Sequence, residues 1–85
     1  MADFAKIESI FSEILSKPSA NLLASERAEI VRFVDVGEFG LALETLHAIY
    51  KEERKSPDHR TKELIASLAI AMALDPEGFF LPDAN

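Results

Sequence analysis

The 85-residue sequence contains no cysteine, which excludes disulfide bonds and zinc sites built on thiolates. It also contains no apolar run close to the roughly 20 residues that a membrane-spanning helix needs. Near the N-terminus, Asp3, Glu8 and Glu13 interrupt the apolar residues, which is unlike a secretion signal. We therefore expect a cytoplasmic protein that does not engage a membrane.

Residue patterns that support catalysis or cofactor binding are also missing. With only three glycines, the chain has no glycine-rich loop that would hold a phosphate group. Its two histidines, His47 and His59, stand apart and have no metal-ligand spacing. The sequence therefore predicts a protein that is not an enzyme and that uses no cofactor, no metal ion and no small-molecule substrate.

Basic side chains are outnumbered, and they concentrate in one segment. The net charge is −6, from 15 acidic and 9 basic residues, and residues 1–50, 51–62 and 63–85 carry −4, +2 and −4. Even the basic segment is diluted by Glu52, Glu53 and Asp58, so nucleic-acid binding is not expected. An acidic surface attracts basic partners, although it can also serve solubility alone.

The strongest helical pattern lies in residues 35–50. Gly37 can adopt the positive φ that commonly ends a helix, and Glu38 then falls in the first turn of a new one, predicted over residues 38–53. Without a side chain, Gly40 would let another backbone approach closely. The apolar residues of this segment recur at steps of three and four and form one face: Phe39, Ala42, Leu43, Leu46, Ile49 and Tyr50.

Two amphipathic segments precede this central helix. The first covers residues 3–16, with Asp3 as a plausible N-cap. Leu22 and Leu23 in the connector are expected to close one end of the core. Ser25 is the expected N-cap of the second helix, residues 25–36, with Asn21 as the alternative. The buried side of this second helix is predicted to comprise Ile30, Val31, Phe33, Val34 and Val36.

A fourth helix is predicted over residues 58–74. Either Ser56-Pro57 or Asp58 can open it, and Asp75-Pro76 is expected to stop it. Its apolar stripe contains Leu64, Ile65, Leu68, Ala69 and Met72. The tail that follows carries Phe79, Phe80 and Leu81, which either dock on the bundle or meet a partner. The chain is thus expected to form one all-α domain, a compact bundle of about four helices with a short C-terminal tail.

Asp35 occupies an unfavourable position in this scheme. A carboxylate in the last turn of a helix faces the negative end of the dipole, which costs roughly 0.3–1 kcal/mol. Two explanations are open: Asp35 accepts hydrogen bonds from the amides that open the third helix, or it contacts a partner.

The central segment contains the run Gly37-Glu38-Phe39-Gly40-Leu41-Ala42-Leu43-Glu44-Thr45-Leu46. This run is preceded by Phe33-Val34-Asp35 and followed later by Ala73-Leu74-Asp75-Pro76. Together these segments resemble immunity proteins of the MafI type. The similar portion extends from about Ser25 to Pro76. The resemblance implies a small helical bacterial protein of contact-dependent growth inhibition or related polymorphic toxin systems. Such a protein binds and neutralises the C-terminal domain of its cognate toxin, commonly a nuclease and often a ribonuclease. It implies no catalytic residues.

The residues that would meet such a toxin follow from charge. A nuclease site is cationic because it binds phosphates, so acidic side chains can occupy it. We expect Asp35, Glu38 and Glu44 to lead the contact, with Glu26 and Glu29 as further candidates that need not belong to the same patch. The alternative function is a small helical adaptor or regulatory subunit that binds a partner protein or peptide in a groove.

Overall fold

The computed structural model describes residues 4–74, and these residues form four α-helices joined by short connections. The helices are α1 (Phe4–Ser16), α2 (Ala24–Asp35), α3 (Phe39–Glu52) and α4 (His59–Ala71), with one turn of 3-10 helix, Pro18–Ala20, between α1 and α2. No strand occurs between residues 4 and 74. The predicted all-α class is confirmed, and the helix boundaries differ from the predicted ones by no more than three residues. Asp3 and the tail residues Phe79, Phe80 and Leu81 lie outside the described residues.

The four helices run alternately up and down. An ion pair of 2.8 Å between Lys55 and Glu26 joins the end of α3 to the start of α2. A second ion pair, of 3.0 Å between Lys17 and Asp58, joins the end of α1 to the start of α4. The closest helix packing is between α2 and α3 and between α1 and α4. The connections 17–23 and 53–58 therefore lie together at one end of the bundle, which we call the loop end. The turn between α2 and α3 lies at the opposite end, which we call the Gly37 end.

All four helices contribute to one hydrophobic core. The rings of Phe11 and Phe39 stack with their centroids 6.3 Å apart, which ties α1 to α3. Tyr50 is also buried, and its hydroxyl donates a hydrogen bond to the carbonyl of Ala20 in the connection. The fully buried large side chains are Tyr50, Phe11, Ile7, Ile14, Ile30, Leu43, Leu46, Leu68 and Thr61. The predicted stripes of α3 and α4 both face this core.

The buried side of α2 is narrower than predicted. Ile30 is fully buried, and Phe33 and Val34 are partly buried. Val31 is instead 37% exposed, and Val36, which follows the last helical residue, is 69% exposed. Leu22 reaches the core as expected, whereas Leu23 is 61% exposed because it occupies the N-cap of α2.

The cap of α2 also differs from the prediction. The helix begins at Ala24, so Ser25 lies inside its first turn and Leu23 is the N-cap. A Glu26 carboxylate oxygen accepts a hydrogen bond of 2.8 Å from the Leu23 amide, which satisfies a backbone donor that a serine cap would have left to water. Asn21 does not cap α2 but ends the 3-10 turn with φ of 62°. Of the two openings considered for α4, the structure has Asp58 as the N-cap.

The glycines of the central segment behave differently from each other. Gly37 has φ of +77° and ends α2, as predicted. At Gly40, however, no atom from another part of the described chain lies within 4 Å of the position that a Cβ would take. The expected close approach of a backbone is therefore wrong for residues 4–74. Helix α4 ends at Ala71, three residues before its predicted end at residue 74, and the predicted stop at Asp75-Pro76 lies outside the described residues.

Candidate partner-binding surface

Three of the five predicted acidic residues lie around one shallow surface hollow. Glu29, Asp35 and Glu38 line it together with Arg32, Phe33 and Val36. The hollow follows from the local sequence, because the positive φ of Gly37 turns the chain back and brings Glu38 beside the last turn of α2. Glu44 lies further along α3, where its side chain is exposed.

Glu26 is engaged within the protein. Its carboxylate pairs with the Lys55 ammonium and accepts the Leu23 amide hydrogen bond, and its side chain is only 14% exposed. Burial raises the pKa of Glu26, but the hydrogen bonds from Lys55 and the Leu23 amide lower it by more, so that the net pKa is below its ordinary value. Glu26 therefore lies at the loop end, where its ion pair holds the start of α2 against Lys55, which follows the end of α3.

The other four candidates are not engaged in ion pairs within the described chain, although Arg32 adds one positive charge to the hollow that three of them line. None of the ion pairs among residues 4–74 involves Glu29, Asp35, Glu38 or Glu44. The described carboxylates that do form ion pairs besides Glu26 belong to α1, α4 or the N-cap of α4: Glu13, Asp58 and Glu63. The unpaired negative charge of the candidates thus lies on α2, α3 and the turn between them.

Asp35 does not have the structural role that was considered for it. In the turn, the amides of Gly37 and Glu38 donate to the carbonyls of Val34 and Phe33, at 3.0 Å and 2.9 Å, and α3 itself opens at Phe39 with no bond from its amides to the Asp35 side chain. No hydrogen bond among residues 4–74 involves the Asp35 carboxylate, which is exposed. Its unfavourable position at the helix end is therefore not offset by a contact within the described chain.

Exposed apolar side chains lie among these acids. Val36 lines the same hollow as Asp35 and Glu38, and Val31 lines a second shallow hollow between α1 and α2, of which Asp35 is also a rim residue. We call this set, Glu29, Val31, Asp35, Val36 and Glu38, the α2–turn surface. Apolar side chains within a charged rim are typical of protein–protein interfaces. Leu41, which is 45% exposed, lies between Glu38 and Glu44 in the chain and extends the apolar contribution along α3.

Sequence reasoning missed a polar network at the loop end. The guanidinium of Arg27 donates to three backbone carbonyls, those of Leu15, Lys17 and Leu22. No sequence signal marks these contacts, because an arginine in the first turn of a helix is ordinarily solvated. The guanidinium thus satisfies the Leu15 carbonyl in the last turn of α1 and also bonds two carbonyls of the connection that follows, so its function is structural.

Asp58 belongs to the same network. It accepts hydrogen bonds from the Thr61 hydroxyl and the Lys17 ammonium, and these lower the pKa of Asp58 to about 2. The Asp58 amide donates to the carbonyl of Ser19, so the two connections are also joined through backbone. The loop end therefore uses its charges internally, in contrast to the α2–turn surface.

Residues 4–74 show neither a metal-ion site nor a membrane-spanning helix. No group of three or more His, Cys, Asp or Glu side chains there is arranged to hold a metal ion. None of the four helices combines the length and apolar character required to cross a membrane. Comparison with known proteins finds no matching family model, no matching curated protein and no matching solved structure.

Proposed function

We propose that this protein is an immunity protein of the MafI type, which binds and neutralises the C-terminal domain of a cognate bacterial toxin in the cytoplasm. The toxin domain is a basic nuclease, with a ribonuclease as the first expectation. Neutralisation proceeds by surface complementarity, and this protein catalyses no reaction itself. The proposal begins with the sequence resemblance of residues 25–76, centred on the ten residues from Gly37.

The observation that carries the proposal is the unpaired charge of the α2–turn surface. Asp35 and Glu38 are exposed, have no ionic partner among residues 4–74 and flank the exposed side chain of Val36. A nuclease must carry positive potential where it binds phosphates, so carboxylates at this surface compete with the phosphates for the same groups. Val36 supplies apolar area that is removed from water when the complex forms.

The proposal is tested by reversing charge at this surface. In Asp35→Lys/Glu38→Lys the net charge rises by four units, and we expect the affinity for the toxin domain to fall at least about tenfold, because loss of one partner of an interfacial charge pair typically costs about 2–5 kcal/mol. Binding is measured with the C-terminal domain encoded by the gene immediately upstream, followed by a nuclease assay with and without this protein.

A matched control comes from the loop end. Glu52 and Glu53 are exposed and end α3 on the opposite side of the molecule, so Glu52→Lys/Glu53→Lys makes the same change in net charge away from the proposed surface. We expect this variant to bind and protect nearly as well as the original protein. Equal losses in the two variants would assign the effect to net charge and remove the α2–turn surface from the proposal. Reversal of Glu44 alone tests whether the contact extends along α3.

A helical adaptor or regulatory subunit is the second candidate. Exposed apolar side chains away from the α2–turn surface, such as Ile70 on α4 at 65% exposure, favour it because they could seat a peptide. Co-expression separates the two functions. An immunity protein rescues cells that produce the toxic neighbouring domain, whereas an adaptor leaves them unprotected.

A further inference from the structure

An apolar hollow at the Gly37 end has no occupant among the described residues. It is lined by Phe4, Ile7, Gly37, Phe39, Gly40 and Met72, none of which is charged. The open space over Gly40 forms part of this hollow, since no other part of the described chain comes within 4 Å of the missing Cβ. Phe4 remains 62% exposed at its rim even though its ring lies 5.6 Å from that of Phe39.

We propose that this hollow is the docking site for the C-terminal tail of the same chain, with Phe79 and Phe80 as the side chains that enter it. The proposal concerns the isolated protein and does not rest on the proposed function. It follows from the position of the hollow, the reach of the tail and the composition of the tail.

The hollow lies within reach of the C-terminal tail. Met72 lines the hollow and is only two residues before Leu74, where the described chain ends. Phe79 follows Leu74 by five residues, a segment that spans at most about 17 Å when fully extended. The longest dimension of the molecule is 36 Å, so the tail reaches the Gly37 end but not the loop end.

The composition of the tail fits an uncharged hollow. Phe79, Phe80 and Leu81 are consecutive large apolar residues, and the nearest acidic residues, Glu77 and Asp83, flank them on either side. Aromatic side chains gain most from removal from water, and the Phe4–Phe39 pair offers them ring faces and edges. The acidic residues then stay at the rim, in contact with water.

The tether favours this occupant over a second molecule. A segment joined to its site by a few residues has an effective concentration on the order of millimolar. Closing so short a loop also costs little conformational entropy. The tail of another copy or a free apolar peptide has to compete with that concentration. An intramolecular contact therefore prevails at ordinary protein concentrations.

The absence of native cysteine permits a direct test in the full-length chain. Gly40→Cys places a thiol in the hollow without a steric clash from the described residues, and Gly78→Cys or Leu81→Cys places the second thiol beside the two phenylalanines. With diamide as oxidant, we expect each pair to form an intramolecular disulfide at least about tenfold faster than the control pair Glu52→Cys/Gly78→Cys, because only the first two bring the thiols together.

A second set of variants tests the role of the phenylalanines. Adding Phe79→Ser/Phe80→Ser to the Gly40→Cys/Gly78→Cys background should slow cross-linking severalfold, to the rate that the tether alone gives, which still exceeds that of the control pair. Circular dichroism of each reduced variant verifies that the helices are retained. The proposal is overturned if neither tail position cross-links to residue 40, if the control pair reacts equally fast, if dimers predominate, or if the serine substitutions have no effect.

Discussion

Each of the helices α2, α3 and α4 ends with one residue in the left-handed conformation. These residues are Gly37, Arg54 and Ala73, with φ of 77°, 52° and 59°. In all three, the amide of that residue and the next amide donate back to carbonyls of the last helical turn, the pattern of a Schellman motif. Only α2 uses the glycine that this conformation favours, so the other two ends carry backbone strain.

Glycine substitutions at these ends should act in opposite directions. Gly37→Ala should lower the free energy of unfolding by about 1 kcal/mol, because an alanine is strained at positive φ. Ala73→Gly should raise it by about 0.5–1 kcal/mol, since relief of the same strain exceeds the added freedom of the unfolded chain. Urea unfolding monitored by circular dichroism measures both, and shifts of the same sign in the two variants would contradict the assignment.

Tyr50 links stability to alkaline pH. Burial raises the pKa of Tyr50 far above its ordinary value near 10, because the phenolate would lose its hydration. The folded state thus keeps its proton while the unfolded chain loses it. The contribution is complete below about pH 10 and is lost as the pH rises beyond that value.

Tyr50→Phe should separate this effect from other titrations. At neutral pH we expect the free energy of unfolding to fall by about 1 kcal/mol, because the carbonyl of Ala20 loses its donor. Above pH 10 the gap between the two proteins should narrow, since the variant has no phenol to ionise. Urea unfolding at several alkaline pH values provides the comparison, and a constant gap would show that Tyr50 ionises equally in both states.

At the scale of elements, α2 is joined to the last turn of α1 and to the connection that follows it through three backbone carbonyls. Helix ends leave carbonyls without intrahelical partners, and the connection of residues 17–23 cannot satisfy all of them with its own amides. Arg27, in the first turns of α2, supplies the donors to Leu15, Lys17 and Leu22. One side chain therefore sets the geometry between two helices.

Arg27→Met should reveal this role. Methionine retains an apolar stem but no donor, so we expect the free energy of unfolding to fall by about 2–3 kcal/mol, the range for lost charge-assisted hydrogen bonds to partly buried carbonyls. Arg32→Met, at an exposed position of the same helix, should change it by no more than about 0.5 kcal/mol. Similar losses in the two variants would mean that Arg27 acts through general charge and not through these carbonyls.

The whole molecule has two ends of different character. At the loop end, charges are paired across sequence separations as long as the 47 residues between Glu13 and Arg60. The Gly37 end carries the apolar hollow, and the α2–turn surface with its unpaired carboxylates lies along α2 and that turn. Pairing at one end joins the connections of the bundle, and the unpaired carboxylates at the other form the surface that we propose for a basic partner.

Association with a basic toxin domain should therefore depend on salt. We expect the association rate to fall on the order of tenfold between low and high ionic strength, because screening removes long-range attraction. Asp35→Lys/Glu38→Lys should bind more slowly at low salt and show a weaker salt dependence, whereas Glu52→Lys/Glu53→Lys should change both less. Stopped-flow kinetics gives the rates, and an association rate that is independent of salt would argue against electrostatic capture.

Part of the candidate surface could be anticipated from the chain. Gly37 identifies the turn, and a turn between antiparallel helices places Asp35 near Glu38. The inclusion of Glu29 and the engagement of Glu26 could not be anticipated. Both depend on how α2 is rotated against α3, and that rotation is set by which side chains fill the shared core.

Periodicity in the sequence determined the helices, their order and most of the core, because spacing at three and four residues reports directly on which side of a helix is apolar. Tertiary structure alone decided which charges are paired and which stay available to a partner. Lys55 and Glu26, for example, form an ion pair although they lie 29 residues apart in the chain. Tertiary structure also decided that Val31 and Val36 face water. Such outcomes depend on distances between elements, and local sequence does not encode those distances.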